Sequence, residues 1–326
     1  MNTIDRRHFL GAVGAMGAMA LATNSHAQAD YPSRALQLTH GFGAGGNADV
    51  VARLVAQRLA ETLKQPVVVE IKSGAGGAIA SDFVAKSKPD GYNLVMLTGA
   101  HTVSAALRKS LPYDPVKDFS FISTVTSFPF VVAVRAEHPA RTLEELLASA
   151  RKEHGRVTFT SVGVGSTQHM VGEMLASNAG VKMLHVPYRG GGAPVQSVIA
   201  GDVDVLADTL TVATPHIKSG RLRALAVTSA RPWPSMPEVP PVSATLKGFE
   251  IRSWLGLAAA PGTPLAIVNQ INQGVLAASK DPAFLATLAN LGSEASPGSP
   301  ADMKTMVERE IERWRAVMSK AGIEQQ

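Results

Sequence analysis

Four clusters of glycine stand where a β-prone run gives way to a helical pattern. Gly41-Phe42-Gly43-Ala44-Gly45-Gly46 follows Leu36 to His40 and leads into a helix from Asn47. Gly74-Ala75-Gly76-Gly77 follows the β-branched run Val67 to Ile71, Gly163-Val164-Gly165-Ser166 follows Val157 to Ser161, and Gly190-Gly191-Gly192 precedes Ala193. A turn without side chains leaves backbone N–H groups uncovered, and the helix behind it adds about half a positive charge at that end. The chemistry offered is the capture of an anion such as a carboxylate. Glycine also makes tight turns for conformational reasons alone, so one cluster decides little, but several in one chain point to binding. Two facing seats would suit a molecule with a carboxylate at each end.

Gly41-x-Gly43-x-x-Gly46 also fits the dinucleotide fingerprint, with Glu70 in the next strand where a ribose-binding acid would sit. A dinucleotide leaves the other turns without a role, and no hydride-transfer acid or base stands out. An exported dinucleotide-dependent oxidoreductase is therefore the alternative reading. Catalytic and metal signals are thin. Gly165-Ser166-Thr167 lacks the nucleophile elbow, and the 9 histidines include neither H-x-H nor H-E-x-x-H, so neither a hydrolase serine nor a zinc site is expected. His101, His169 and His185 fall near strand ends as wall residues. Asp49, in the first turn of its helix, caps it, or holds a ligand amine or a water; it would repel an anion at the same place.

The 326 residues suit two medium domains. With 45% hydrophobic and 17% charged residues a large core is expected. The absence of Cys excludes disulfides, thiolate metal sites, Fe–S clusters and thiol catalysis. Aromatic residues at 5% argue against a base-stacking nucleic-acid surface. The formal charge of +5 is a mild excess, compatible with an anionic ligand.

Residues 1–29 have the form of an export signal. Arg6-Arg7 precede Phe9-Leu10, a Gly- and Ala-rich apolar stretch runs to Ala22, and small residues offer cleavage after Ala27 or Ala29. Arg6-Arg7-His8-Phe9-Leu10 resembles a twin-arginine signal, with Asp5 and Gly11 departing from its usual flanks. The expected destination is the periplasm or cell exterior.

In the remaining chain, strands and helices alternate: strands at Leu36–His40, Val67–Ile71, Asn93–Leu97, Val157–Ser161, Met183–Val186, Val203–Leu206 and Leu222–Val227, with helices between. Phe119 to Val134, interrupted by Pro129, reads as a strand that leaves the first sheet. Trp254 to Ala259 reads as a second crossing. The C-terminal helix is capped by Ser299 and carries the apolar stripe Met303, Val307, Ile311, Trp314 and Met318. The simplest architecture is α/β with two lobes and two crossings, one lobe of residues 30–123 plus 255–326 and the other of 124–254. Strand ends and glycine turns then face a shared cleft.

The residues also resemble a known family. Tyr31-Pro32-Ser33-Arg34, Gly45-Gly46-x-x-Asp49-x-x-Ala52-Arg53, Pro89-Asp90-Gly91-Tyr92, Leu111-Pro112-Tyr113-Asp114-Pro115, His185-Val186-Pro187-Tyr188-Arg189-Gly190 and Leu222-Arg223-Ala224-Leu225-Ala226-Val227-Thr228 are similar to the Bug family, the periplasmic receptors of tripartite tricarboxylate transporters. The resemblance implies a two-lobed periplasmic binding protein fold (type II) that closes on a hinge. It further implies a small carboxylate ligand, membrane permease subunits as partners, and no enzymatic activity, cofactor or metal. Carried onto this chain, the ligand seats are Gly41, Phe42, Gly43, Ala44, Gly45, Asp49, Gly76, Gly77, Thr98, His101, Gly163, Ser166, Thr167, Tyr188 and Asp208. His40-Gly41-Phe42 departs from the family's usual first loop, and Phe42 either walls the ligand or packs beneath the loop. A monomer is expected, without nucleic-acid partners. A soluble sensor for a signalling kinase would look the same in sequence.

Overall fold

The computed structural model describes residues 31–153 and 155–325; the export segment lies outside them. Strand β1 (Leu36–His40) leads to helix α1 (Asn47–Leu63), β2 (Val67–Ile71), α2 (Ala78–Ala85), β3 (Asn93–Thr98) and α3 (Gly99–Leu107). The long strand β4 (Ser120–Arg135) follows, then α4 (Leu143–Glu153), β5 (Thr158–Ser161), α5 (Thr167–Ala179), β6 (Leu184–Pro187), α6 (Ala193–Ala200), β7 (Val205–Thr209), α7 (Leu210–Lys218) and β8 (Leu222–Val227). The chain ends with β9 (Arg252–Ala259), α8 (Leu265–Ala278), α9 (Pro282–Asn290), β10 (Glu294–Ala295) and α10 (Pro300–Ala321).

The strands form one 10-stranded sheet with the path β2-β1-β3-β9-β4-β7-β5-β6, and β8 and β10 both pair β4 beside that path. The β-α-β stretches pair in parallel, β1 with β2 and β3, and β5 with β6 and β7. The two wings meet on β4. Ser120 to Pro129 pairs β9, and Phe130 to Arg135 pairs β7 and β8. The hand-over falls at Pro129, which has no N–H to donate to a ladder. This is the two-lobed fold with two crossings: β4 is the first, and the chain returns through β9. The expectation that the Phe119–Val134 run leaves the first sheet is met by one strand of 16 residues that serves both wings.

Local chemistry sets the element ends. Ser299 and Asp302 form a reciprocal capping box at the start of α10, with Pro300 at the first helical position. Its stripe Met303, Val307, Ile311, Trp314 and Met318 is buried, as the spacing predicts. Strand β7 runs past the expected end at Leu206, because Asp208 and Thr209 continue the ladder opposite Val131 and Phe130. Two polar residues are thereby drawn into the interior.

Thr228 pins the return crossing to β4. Its hydroxyl accepts the Phe130 N–H at 2.8 Å and donates to the Ile251 carbonyl at 2.6 Å, fully buried. Thr228→Val keeps the shape and orphans both backbone groups. We expect a loss of about 1–3 kcal/mol, measured as a lower urea midpoint at unchanged m-value. An unchanged midpoint would show that the clamp carries no stability.

Candidate ligand site

The first turns of four helices converge on one cavity between the wings. Gly46, Asn47 and Ala48 open α1, Thr98 caps α3, Thr167 and Gln168 open α5, and Thr209 and Val212 bracket the start of α7; all line it. Phe42, Phe128, Phe130, Val162, Val212 and Leu255 supply an apolar wall, and Ser253 adds a hydroxyl. The space open to the centre of a water-sized sphere is about 40 Å³, a few water sites at about 10–15 Å³ each. This is a narrow slot, flanked by contacts between the wings.

Those contacts are largely backbone. The Gly43 N–H donates to the Arg189 carbonyl at 3.1 Å, forming a bridge with Gly190. A Cβ on Gly43 would stand 3.0 Å from the Gly190 carbonyl carbon and 3.0 Å from the Gly191 nitrogen, so any side chain there presses the two backbones apart. Ser104 Oγ donates to the Gly165 carbonyl at 3.2 Å, and Thr211 Oγ1 donates to Asn47 Oδ1 at 2.7 Å.

Asp208 is the one ionisable side chain among the lining residues. It is 2% exposed. Its Oδ1 accepts the Thr209 N–H at 2.7 Å and the Gln168 Nε2 at 3.3 Å, and lies 3.4 Å from the Thr209 hydroxyl. Its Oδ2 has no partner among the described residues. Burial pushes the carboxyl up to about 6, against the hydrogen bonds from Thr209 and Gln168.

Beneath the first loop, Asp49 faces inward. It accepts the Gly45 N–H at 2.9 Å, and meets Arg53 at 2.9 Å and His40 Nε2 at 3.2 Å. Burial alone would raise this carboxyl, but these partners together hold it below the ordinary carboxylate range. His40 is fully buried and its pKa is lowered, chiefly by burial, with Asp49 opposing. The Phe42 N–H reaches its Nδ1 at 3.4 Å, which fits a neutral ring with the proton on the Asp49 side.

Among the residues expected to bind, Phe42, Thr98, Thr167 and Asp208 line the cavity. Gly41, Gly76, Gly77 and His101 border a second, smaller space of about 10 Å³ behind it. A Cβ on Gly41 would lie 2.4 Å from the Gly77 Cα, so the two glycine turns pack on each other. His101 is buried, stacked on Tyr113, and donates Nε2–H to the Pro115 carbonyl at 2.8 Å; burial lowers its pKa to about 4.

Gly43, Ala44, Gly45, Asp49, Gly163, Ser166 and Tyr188 do not line the cavity. The amides of Gly43 and Gly45 go to Arg189 and Asp49, and that of Gly163 goes to the Ser161 hydroxyl at 3.0 Å. The Gly77 amide, beside the second space, likewise goes to the Gly74 carbonyl. Ala44 lies against Gly191, Ser166 caps α5 through the His169 N–H, and Tyr188 packs on the apolar core of the second wing. Asp49 has no free oxygen for a ligand amine. Phe42 fills both roles left open, since it is 8% exposed, belongs to the core and walls the cavity. Asn47 falls inside the expected Gly41-to-Asp49 seat, while Gln168, Thr209, Ser253, Phe128 and Phe130 were not expected. The first three sit in first turns or caps directly after glycine turns or strands, and Phe128 and Phe130 alternate on one face around Pro129, which is the signal that could have found them.

The chain matches a family model described as "Tripartite tricarboxylate transporter family receptor" over residues 51–323. The chain belongs to this family. Among curated relatives of this receptor family, it is 33% identical over 317 residues to the "UPF0065 protein in tcbD-tcbE intergenic region" of Pseudomonas sp. (strain P51), covering 97% of this chain and 94% of that one. The solved structure of the periplasmic binding protein BugD superposes with a TM-score of 0.87 at 32% identity, over 91% of this chain and all (100%) of BugD. The structure of R. palustris Rpa4515 with adipate gives 0.88 at 33% identity over 91% of this chain and 100% of that one. Receptors of this family are periplasmic binding proteins. No helix among the described residues is long and apolar enough to cross a membrane.

Proposed function

We propose that this receptor captures a small carboxylate between its two lobes, closes on it and presents the closed form to the membrane subunits of a tripartite tricarboxylate-type transporter. One observation carries the reading: four helix N-termini converge on a cavity between the wings that is lined by no cationic side chain, so positive potential comes from helix ends rather than from Lys or Arg. Adipate in the related Rpa4515 structure supports an organic acid as ligand. The lobes are residues 30–123 plus 255–326, and 124–254, and the protein works as an exported periplasmic monomer that binds without transforming. Thr98, Thr167 and Asp208 contact the ligand directly or through water, with Phe42 as a wall, while the other glycine-turn residues shape the loops that carry them.

A dinucleotide-binding role is disfavoured by geometry. The Gly43 amide is taken, the Gly190 backbone lies directly against Gly43, and Glu70 is paired with Lys72 at 2.8 Å.

A thermal-shift panel tests the reading. Mono- and dicarboxylates, NAD(P) and flavins are added at millimolar concentration, and at least one acid is expected to raise Tm by several degrees, since a ligand bound 100-fold above its Kd adds about 2.7 kcal/mol. Stabilisation by a dinucleotide and by no acid would overturn it.

A further inference from the structure

Two buried polar side chains on the cavity wall each leave an atom without a partner among the described residues: Asp208, whose carboxylate Oδ2 accepts, and the Asn47 amide. Asp208 Oδ1 is taken by Thr209 and Gln168, which leaves Oδ2 over. Thr211 Oγ1 lies 2.7 Å from one end of the Asn47 amide and 2.8 Å from the Leu291 carbonyl, so that end is taken and the other faces the cavity. A buried polar group without a partner costs about 1–3 kcal/mol, and more when charged, so each atom marks a position where a bound molecule completes a hydrogen bond.

The electrostatics narrow that molecule further. Helix starts favour a carboxylate. No Lys, Arg or His lines the cavity, and Asp208 is its only ionisable group. A second ligand carboxylate beside Asp208 would set two anions together without a counter-charge. A positive group there would instead give the buried carboxylate the partner it lacks. The rest of the wall is the aromatic and aliphatic set of Phe42, Phe128, Phe130, Val162, Val212 and Leu255, which gains by covering hydrocarbon.

We infer that the ligand is a small amino monocarboxylate with a compact apolar body, its carboxylate at the helix starts beside Asn47 and its ammonium on Asp208 Oδ2. The inference deepens the carboxylate-receptor reading and rests on it.

Calorimetric titration of the signal-free chain with two matched sets tests it: valine, 2-hydroxy-3-methylbutanoate and 3-methylbutanoate, and leucine, 2-hydroxy-4-methylpentanoate and 4-methylpentanoate. Within at least one set the amino acid should bind at least 10-fold more tightly than both partners. Asp208→Asn should erase that preference while keeping the circular-dichroism spectrum and binding of the deaminated acid. Equal or weaker binding of the amino acid in both sets overturns the inference, as does an equal loss of all three ligands in Asp208→Asn. Binding of dicarboxylates alone overturns it and leaves the receptor reading standing. Binding of no acid of any kind removes both.

Discussion

Gly43→Val is expected to give a folded protein that fails to close and binds its acid at least 10-fold more weakly. The reason is local. In the closed arrangement a Cβ at this position meets the backbone of Gly190 and Gly191 at 3.0 Å, and the Gly43 N–H is bonded to the Arg189 carbonyl. Backbone cannot swing aside as a flexible side chain can, and valine adds two methyl groups beyond the Cβ. Separating the wings relieves the clash, so the penalty falls on the closed state alone. Ligand affinity is reduced by whatever free energy is added to the binding-competent state, and about 1.4 kcal/mol is already 10-fold. Three measurements check this together: Tm of the unliganded variant close to that of the parent, a radius of gyration that no longer shrinks on adding the acid, and a weaker Kd. Unchanged affinity with normal compaction would show that the wings do not meet at Gly43 when ligand is bound.

Asp208→Asn should stabilise the ligand-free protein at neutral pH. The Asp208 carboxyl has an ordinary value of 3.8 and is pushed up to about 6 by burial. Below about pH 4 the group is protonated in both folded and unfolded chains, and its stability contribution is fully present. As pH rises through about 6, the folded state must release a proton it holds more tightly than the unfolded chain does, and that stability is lost. A shift of this size corresponds to about 3 kcal/mol at about 1.4 kcal/mol per unit. Asparagine keeps the shape without the charge. We expect Tm at pH 7.5 to rise by about 5 °C, with the advantage shrinking to nothing near pH 4. A destabilised variant at pH 7.5, or a gain independent of pH, would show that the carboxylate already has its partner without ligand. A side chain that weakens the empty protein fits one kept for a bound molecule.

Some elements of this site were legible in sequence and others were not. The glycine clusters, the strand–helix alternation and the stripe of α10 follow from short-range rules, because a turn's need for glycine and a helix's spacing are set within a few residues. Phe42, Thr98 and Thr167, carried over as ligand seats from the family resemblance, line the cavity. The occupied amides were not legible. Gly43 and Gly45 have the composition of an anion seat, yet their N–H groups are satisfied by Arg189 and Asp49. The burial of Asp208 was equally hidden, since a polar Asp-Thr pair after Leu206 looks like the end of a strand rather than two more rungs of one.

By itself the sequence determined the elements, their order, the family and the kind of chemistry that strand-end glycines offer. Tertiary structure alone decided which N–H groups stay open, which carboxylate is stranded without a cation, and that one strand carries both wings. Local geometry is written in neighbouring residues, but whether a polar atom has a partner depends on which distant segment folds against it, and only the assembled molecule fixes that.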